Sequence, residues 1–396
     1  MSVAEGLVAT ADLERWTAAD DAARPARLGR LRARMAEAGV DAYFGVRREN
    51  SRYLTGFVLA DGEEKVAGNS GWFLITPDHV IVMADSRYTE QAADECPDAQ
   101  VVQVNGDLAA RWPELVGGHR KVAAEAGFIA QATWTTLATS APEAGLVPVE
   151  GWVEADRATK EPAEIERVAA ACAVADAALE RLLPDIRAGA SEAELALALE
   201  WGMRTTGAEA LAFGVAVLAG PRAAMPHGSP SERRVAAGQV LLFDFGAQVA
   251  GYRSDMTRTL FVGEPSSRDL AVYGLVAVAQ QAALDALAEA AGRGESPSGR
   301  AIDAIARAVI ADGGHAQHFG HGLGHGIGLA THELPTLGAR ASDAPLPAPT
   351  VFSVEPGVYL PGETGVRIED LVAFNPAAGR CDRLTRFPRE VTVVGA

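Results

Sequence analysis

The sequence predicts an α+β chain made of two α/β-type domains. Residues 24 to 155 alternate helix-like and strand-like patterns. Beyond residue 160 the chain runs helices, then a long pair of strands, and then repeats that order. A length of 396 residues with 48% hydrophobic content is enough for two cores of ordinary size.

The elements follow in order. "RLGRLRARMAEAG" puts Leu28, Leu31 and Met35 on one helical face and ends at Gly39, a natural C-terminal cap. "DAYFGV" reads as a short strand, and "GWFLITPDHVIVMAD" as two strands around a Pro77-Asp78 turn. This first domain, residues 1 to 157, carries no catalytic cluster of its own. "EADRATKEPAEIER" opens the second, residues 158 to 396. There Pro162 sits where a first-turn proline is tolerated, and Ile165, Val168, Cys172, Leu179 and Leu183 continue an apolar stripe. Ser191 and Glu194 form a capping box for the next helix. "QVLLFDFGAQVAGYRSDMTRTLFVG" reads as strand, turn region, strand. Helical patterns return over 268 to 312, and "PTVFSVEPGVYLPGETGVRIEDLVAF" again reads strand, turn, strand. The shared order of 161–262 and 268–375 suggests an internal two-fold repeat.

Charge narrows the function classes. Thirty-five Lys plus Arg against 52 Asp plus Glu give a formal charge of −17, which repels a phosphate backbone and speaks against nucleic acid. The start "MSVAEGLVATADLERW" has no basic segment before an apolar run, so no signal peptide is expected. No stretch is read as reaching the ~18 apolar residues of a membrane span. Three scattered cysteines, Cys96, Cys172 and Cys381, suggest neither a disulfide framework nor a thiolate zinc site, and favour the cytoplasm.

Four of the eight histidines fall in "HFGHGLGHGIGLATHELP", residues 318 to 335, among five glycines. The two long hairpins carry the acids that such histidines need. Asp244 lies inside "LLFDFG" and Asp255 in "YRSDMTRTLF"; Glu355 ends "VFSVE" and Glu369 lies in "VRIEDL". Each acid alone has a plain reading: Asp255 pairing with Arg253 or Arg258, Glu369 with Arg367. Together, four carboxylates amid apolar strands would repel one another and take up protons unless a divalent cation joined them. Four carboxylates with one imidazole make a hard, oxygen-rich site that suits Mn²⁺, or Co²⁺, Fe²⁺ or Zn²⁺, and two such ions would hold a bridging hydroxide for attack on a carbonyl. Glycines around His325 let backbone approach closely. H-E-x-x-H, G-x-G-x-x-G, the phosphate-binding G-x-x-x-x-G-K-[ST] and G-x-S-x-G are all absent.

With these motifs the sequence resembles the pita-bread metallopeptidases, the Xaa-Pro aminopeptidases, prolidases and methionine aminopeptidases. "YLTGF" and "DSRYTEQA" resemble stretches of the creatinase/prolidase N-terminal domain, which favours the proline-specific branch. The resemblance implies a pita-bread catalytic domain with an internal pseudo-two-fold repeat and two divalent metals. It makes Asp255 and Glu369 bridging ligands and Asp244 a chelator of one metal; His325 and Glu355 complete the other. It places His227 of "MPHGSP" and His332 of "ATHELP" on the substrate side, where they would stabilise an oxyanion. It gives Glu355 a proton-transfer role and puts His321 near the site, among the expected catalytic residues with His227, His332 and Glu355; His318 receives no role. A homodimer or homotetramer is implied on the same ground.

The expected activity is removal of an N-terminal residue that precedes proline. Some prolidases carry an Arg four residues after the histidine matching His332, where it can hold a dipeptide's carboxylate; here that position is Thr336. The aminopeptidase is therefore favoured over the dipeptidase, with Arg340 and Arg367 as substitute clamps. A small-metabolite amide hydrolase of the ectoine-hydrolase kind fits the same ligands. The intact ligand set argues against a binding protein that has lost catalysis.

Overall fold

The computed structural model describes residues 7–60 and 62–395. Two compact units divide the chain. Of the described residues, Thr17–Arg157 form one; residues 7–16 and 158–395 form the other.

The first unit contains most of α1 (Thr10–Ala38), then β1 (Ala42–Gly45), α2 (Arg48–Thr55), β2 (Phe73–Ile75), β3 (Val80–Ala84), α3 (Thr89–Glu95) and β4 (Gln100–Gln103). It continues with α4 (Leu108–Leu115), β5 (Lys121–Glu125), α5 (Gln131–Ser140), β6 (Gly145–Val149) and α6 (Trp152–Ala158). Gly39 ends α1 at φ +64°, a left-handed conformation that a side chain would strain. The six strands form one mixed sheet in the order β4-β3-β2-β1-β5-β6. Phe44 and Trp112 meet edge-on in its core, ring centroids 4.7 Å apart.

The second unit opens with α7 (Pro162–Leu182), α8 (Glu192–Thr206), β7 (Ala210–Leu211), β8 (Ala216–Ala219), β9 (Val240–Phe245), β10 (Ala247–Val249), β11 (Tyr252–Arg253) and β12 (Met256–Val262). Both helix starts match the sequence reading. Glu161 and Glu164 cap α7 reciprocally with Pro162 in its first turn, and Ser191 and Glu194 do the same for α8. The second half has α9 (Ser267–Gly292), α10 (Gly299–Asp312), β13 (Gly324–Gly326), β14 (Glu333–Leu337), β15 (Thr350–Val354), β16 (Gly357–Leu360), β17 (Thr364–Arg367) and β18 (Asp370–Asn375). β19 (Arg380–Arg383) and β20 (Val393–Val394) complete it.

The two-fold repeat is visible in topology. One sheet has the order β20-β12-β9-β8 and the other β14-β13-β15-β18-β19. The antiparallel trio β8-β9-β12 thus recurs as β13-β15-β18. In each half a small hairpin, β10/β11 or β16/β17, interrupts the two long strands.

One expectation is corrected at α9, which is long and apolar enough to cross a membrane. Its Val272, Val276, Ala279, Ala283 and Leu287 are buried in a core shared with α10 and the second sheet. Its outward surface carries Arg268, Gln281, Asp285 and Glu289 beside the exposed Leu270 and Val278, the pattern of a helix with one face in a core.

Candidate metal centre

The two hairpin interruptions position the acids. Asp244 lies within β9, opposite Thr257 of β12 and Ala216 of β8. The other three acids were expected in strands and instead occupy two-residue breaks: Asp255 between β11 and β12, Glu355 between β15 and β16, Glu369 between β17 and β18. In a break the backbone leaves the ladder and can aim a side chain inward. The breaks are themselves tied down. The Glu369 amide donates to the Thr257 carbonyl and the Glu355 amide to the Leu323 carbonyl.

His325 sits in β13. An added Cβ at Gly324 would lie 1.9 Å from the Ser353 carbonyl oxygen, and one at Gly326 2.0 Å from that of Leu334, so only glycine permits these approaches. The preceding segment is held by α10. Arg307, paired with Asp303 at 2.8 Å, donates to the Phe319 and His321 carbonyls, and Asp303 accepts from the Leu323 amide.

Asp255, His325 and Glu369 bring ligand atoms within 4.8 Å of one another. His325 Nε2 lies 3.6 Å from Asp255 and 3.4 Å from Glu355, while its Nδ1–H donates to the Gly326 carbonyl at 3.0 Å. That bond turns the bare Nε2 toward the acids, as a metal-ligating histidine requires. Glu369 Oε2 accepts from the Thr257 hydroxyl, but its buried Oε1 has no hydrogen-bond partner. An unsatisfied buried carboxylate oxygen is costly. A divalent cation bound there would satisfy it, so the donor set fits the metal.

Burial, then repulsion from the neighbouring acids, pushes the Asp255 and Glu369 carboxyls well above the usual carboxylate range. Burial also raises Glu355, against the pull of His321 and Arg367. Burial lowers His325 and His321. His332 is lowered to about 4 by burial and then by the facing His325 and His227, its ring centroid lying 4.2 Å from that of His325.

Arg367 was not assigned a ligand-positioning part from sequence, yet it organises the inner wall. It donates to Asp244, to the Thr257 hydroxyl at 2.8 Å and to the Tyr359 hydroxyl at 2.8 Å. The register of β16 and β17 sets Arg367 opposite Gly357, which brings Tyr359 diagonal to it. A Cβ at Gly357 would meet that hydroxyl at 2.6 Å. Tyr359, accepting from Arg367, donates in turn to His321 Nε2 at 2.9 Å, and His321 Nδ1–H donates to the Gly322 carbonyl at 2.8 Å. Both nitrogens of His321 are therefore engaged. The simple surface pairings also fail: Arg258 bonds Asp370, and Arg253 bonds the Ala212 carbonyl and Thr331.

His227, His321, His325, His332, all four acids and Thr336 line one cavity of about 410 Å³. His227 and His332 are exposed at its rim. His318 pairs instead with His315, Nδ1 to Nδ1 3.1 Å, away from the cavity. The sequence held a signal for Arg367: in a strand-like run, positions 367 and 369 share a face.

Residues 166–376 match the model of metallopeptidase family M24, and residues 27–159 that of the creatinase/prolidase N-terminal domain. The chain belongs to metallopeptidase family M24. Membership implies divalent metal ions, in agreement with the donor set. Among solved structures, this M24 chain is similar to an Xaa-Pro dipeptidase from Bacillus anthracis: 33% identity, TM-score 0.84, covering 94% of this chain and 100% of that one. It is similar to an X-Pro aminopeptidase from Thermotoga maritima at 34% identity and TM-score 0.81, covering 93% and 99%. An uncharacterized peptidase of Bacillus subtilis is 33% identical over 370 residues, 93% of this chain and all of the relative.

Proposed function

We propose that this M24 chain is a dinuclear-metal Xaa-Pro peptidase that hydrolyses the bond between an N-terminal residue and a following proline. The observation that carries the reading is the convergence of Asp255, His325 and Glu369 around an orphaned carboxylate oxygen, in a cavity rimmed by two further histidines. Asp255 and Glu369 would serve both metals, Asp244 one, and His325 with Glu355 the other, with Mn²⁺ best suited to so oxygen-rich a set. The ions, when bound, supply an activated water and polarise the scissile carbonyl.

The chain's own groups do the rest. Glu355 takes the proton of the attacking water on its carboxylate and returns it to the departing prolyl nitrogen. His332, neutral down to about pH 4, donates an N–H to the carbonyl oxygen, as does His227. His321, with both nitrogens occupied, positions Tyr359 rather than meeting substrate.

Aminopeptidase action on longer peptides is favoured over dipeptidase action. Thr336 lines the cavity where an arginine clamp would stand. Arg367, the one arginine lining it among the described residues, is committed to three partners, and Arg340 is exposed outside it. A homodimer or homotetramer and a cytoplasmic location belong to the same reading, the latter in keeping with three free cysteines.

Initial rates on Ala-Pro and Ala-Pro-Ala after Mn²⁺ loading, beside a chelated control, test the proposal. Chelator-sensitive cleavage of the tripeptide alone supports the aminopeptidase. Preference for Ala-Pro makes it a prolidase. Cleavage of neither by protein holding two metals shifts the reading to a small-metabolite amide hydrolase.

A further inference from the structure

A second cavity, about 440 Å³, adjoins the metal cavity and shares Phe213, Pro226, His227 and Asp244 with it. One wall is a face of α8, where Ala193, Ala196, Leu197 and Glu200 follow one another at helical spacing. That line covers about 10 Å of helix. Its first three side chains are short or apolar and offer a greasy flank. Glu200 then supplies a carboxylate.

Glu200 is half-buried and has no hydrogen-bond or ion-pair partner among the described residues. Arg204, one turn further along α8, makes no ion pair with it. Among the described residues, the only other formally charged one lining this cavity, Asp244, is paired with Arg367. The cavity therefore presents one unpaired negative charge beyond an apolar wall. That is the complement of a long aliphatic stem ending in a cation, which buries its methylenes and keeps its head paired.

We propose that this cavity receives the side chain of the substrate's N-terminal residue and that Glu200 selects lysine or arginine there. The proposal rests on the peptidase reading, because His227, shared by both cavities, sets the boundary between reacting carbonyl and side chain. An apolar residue of equal length would gain the α8 flank and forgo the ion pair. The gain for a half-buried pair of this kind is about tenfold.

The test compares Lys-Pro-Ala with norleucine-Pro-Ala, which has a similar stem and no cation, on metal-loaded wild type and Glu200→Gln. The same pair of peptides with the scissile amide reduced to a methylene-amine is titrated calorimetrically, so that binding is read apart from turnover. We expect wild type to favour the lysine peptide about tenfold in kcat/KM and in affinity. Glu200→Gln should abolish that preference and leave the norleucine peptide within about twofold, and Glu200→Lys should turn the preference toward Glu-Pro-Ala. Equal handling of both peptides by wild type overturns the proposal, as does an equal loss on both in Glu200→Gln. If wild type cleaves neither, the peptidase reading fails, and the analogue titrations alone decide the pocket.

Discussion

His321 and His332 face the same cavity, one from its inner wall and one from its rim. His321 is locked between the Tyr359 hydroxyl and the Gly322 carbonyl, and behind Tyr359 stands Arg367 with Asp244 and Thr257. His332 is exposed, its ring set against that of His325. Two imidazoles on one segment are thus given different work by their neighbours. In the proposed peptidase the inner wall would fix ligands in place, and the rim would keep donors free for substrate. A histidine with both nitrogens used has nothing left to offer a carbonyl.

Substitutions separate the inner wall from the rim. The largest effect is expected from the inner wall's own ligand: Glu369→Ala should reduce peptidase activity to background and strip the metal, read by rates and elemental analysis together. A variant that keeps metal and turnover breaks the assignment. Next comes the rim. His332→Ala should keep its metal content and lose about 10²-fold in kcat, the usual worth of an oxyanion donor. A loss of only a few-fold removes that role. Because partial burial, then the facing His325 and His227, lower its pKa to about 4, the wild-type ring should titrate well below the ordinary histidine range by NMR.

Tyr359→Phe should cost less, about tenfold in metal affinity or rate, the lower end for groups that support ligands. It removes one hydroxyl yet leaves both Arg367 and His321 short of a partner. The pH dependence of metal affinity is the gentlest test. Asp255 and Glu369 hold protons above the ordinary carboxylate range in the metal-free fold, and a cation must displace them. Binding should therefore release protons, and apparent affinity should rise with pH through the range above that of ordinary carboxylates. Affinity that falls over this range contradicts the carboxylate shifts.

Much of the cavity's membership was legible in the sequence. The acids stood out as carboxylates in apolar runs, and the glycines flanking His325 foretold contacts that a Cβ would forbid. The family motif then ordered them. The locking of Arg367 was not legible, because Thr257, Tyr359 and Asp244 reach it only through strand register and the meeting of two sheets. Asp255 and Glu369 were read within continuous strand and Glu355 at a strand's end, since alternation alone does not reveal where a ladder is interrupted. α9 was read as helix, but its membrane-length apolarity escaped because it is spread through alanines, valines and scattered leucines, with no block of large apolar residues to mark it.

The cavity is proposed to hold two metals joined through Asp255 and Glu369. Metal counted per chain after dialysis, on wild type and on the near-isosteric Asp255→Asn, decides it. Two divalent ions per chain are expected in wild type, and loss of both from the variant at unchanged folding. A wild type that retains no more than one ion, or a variant that keeps two, contradicts it.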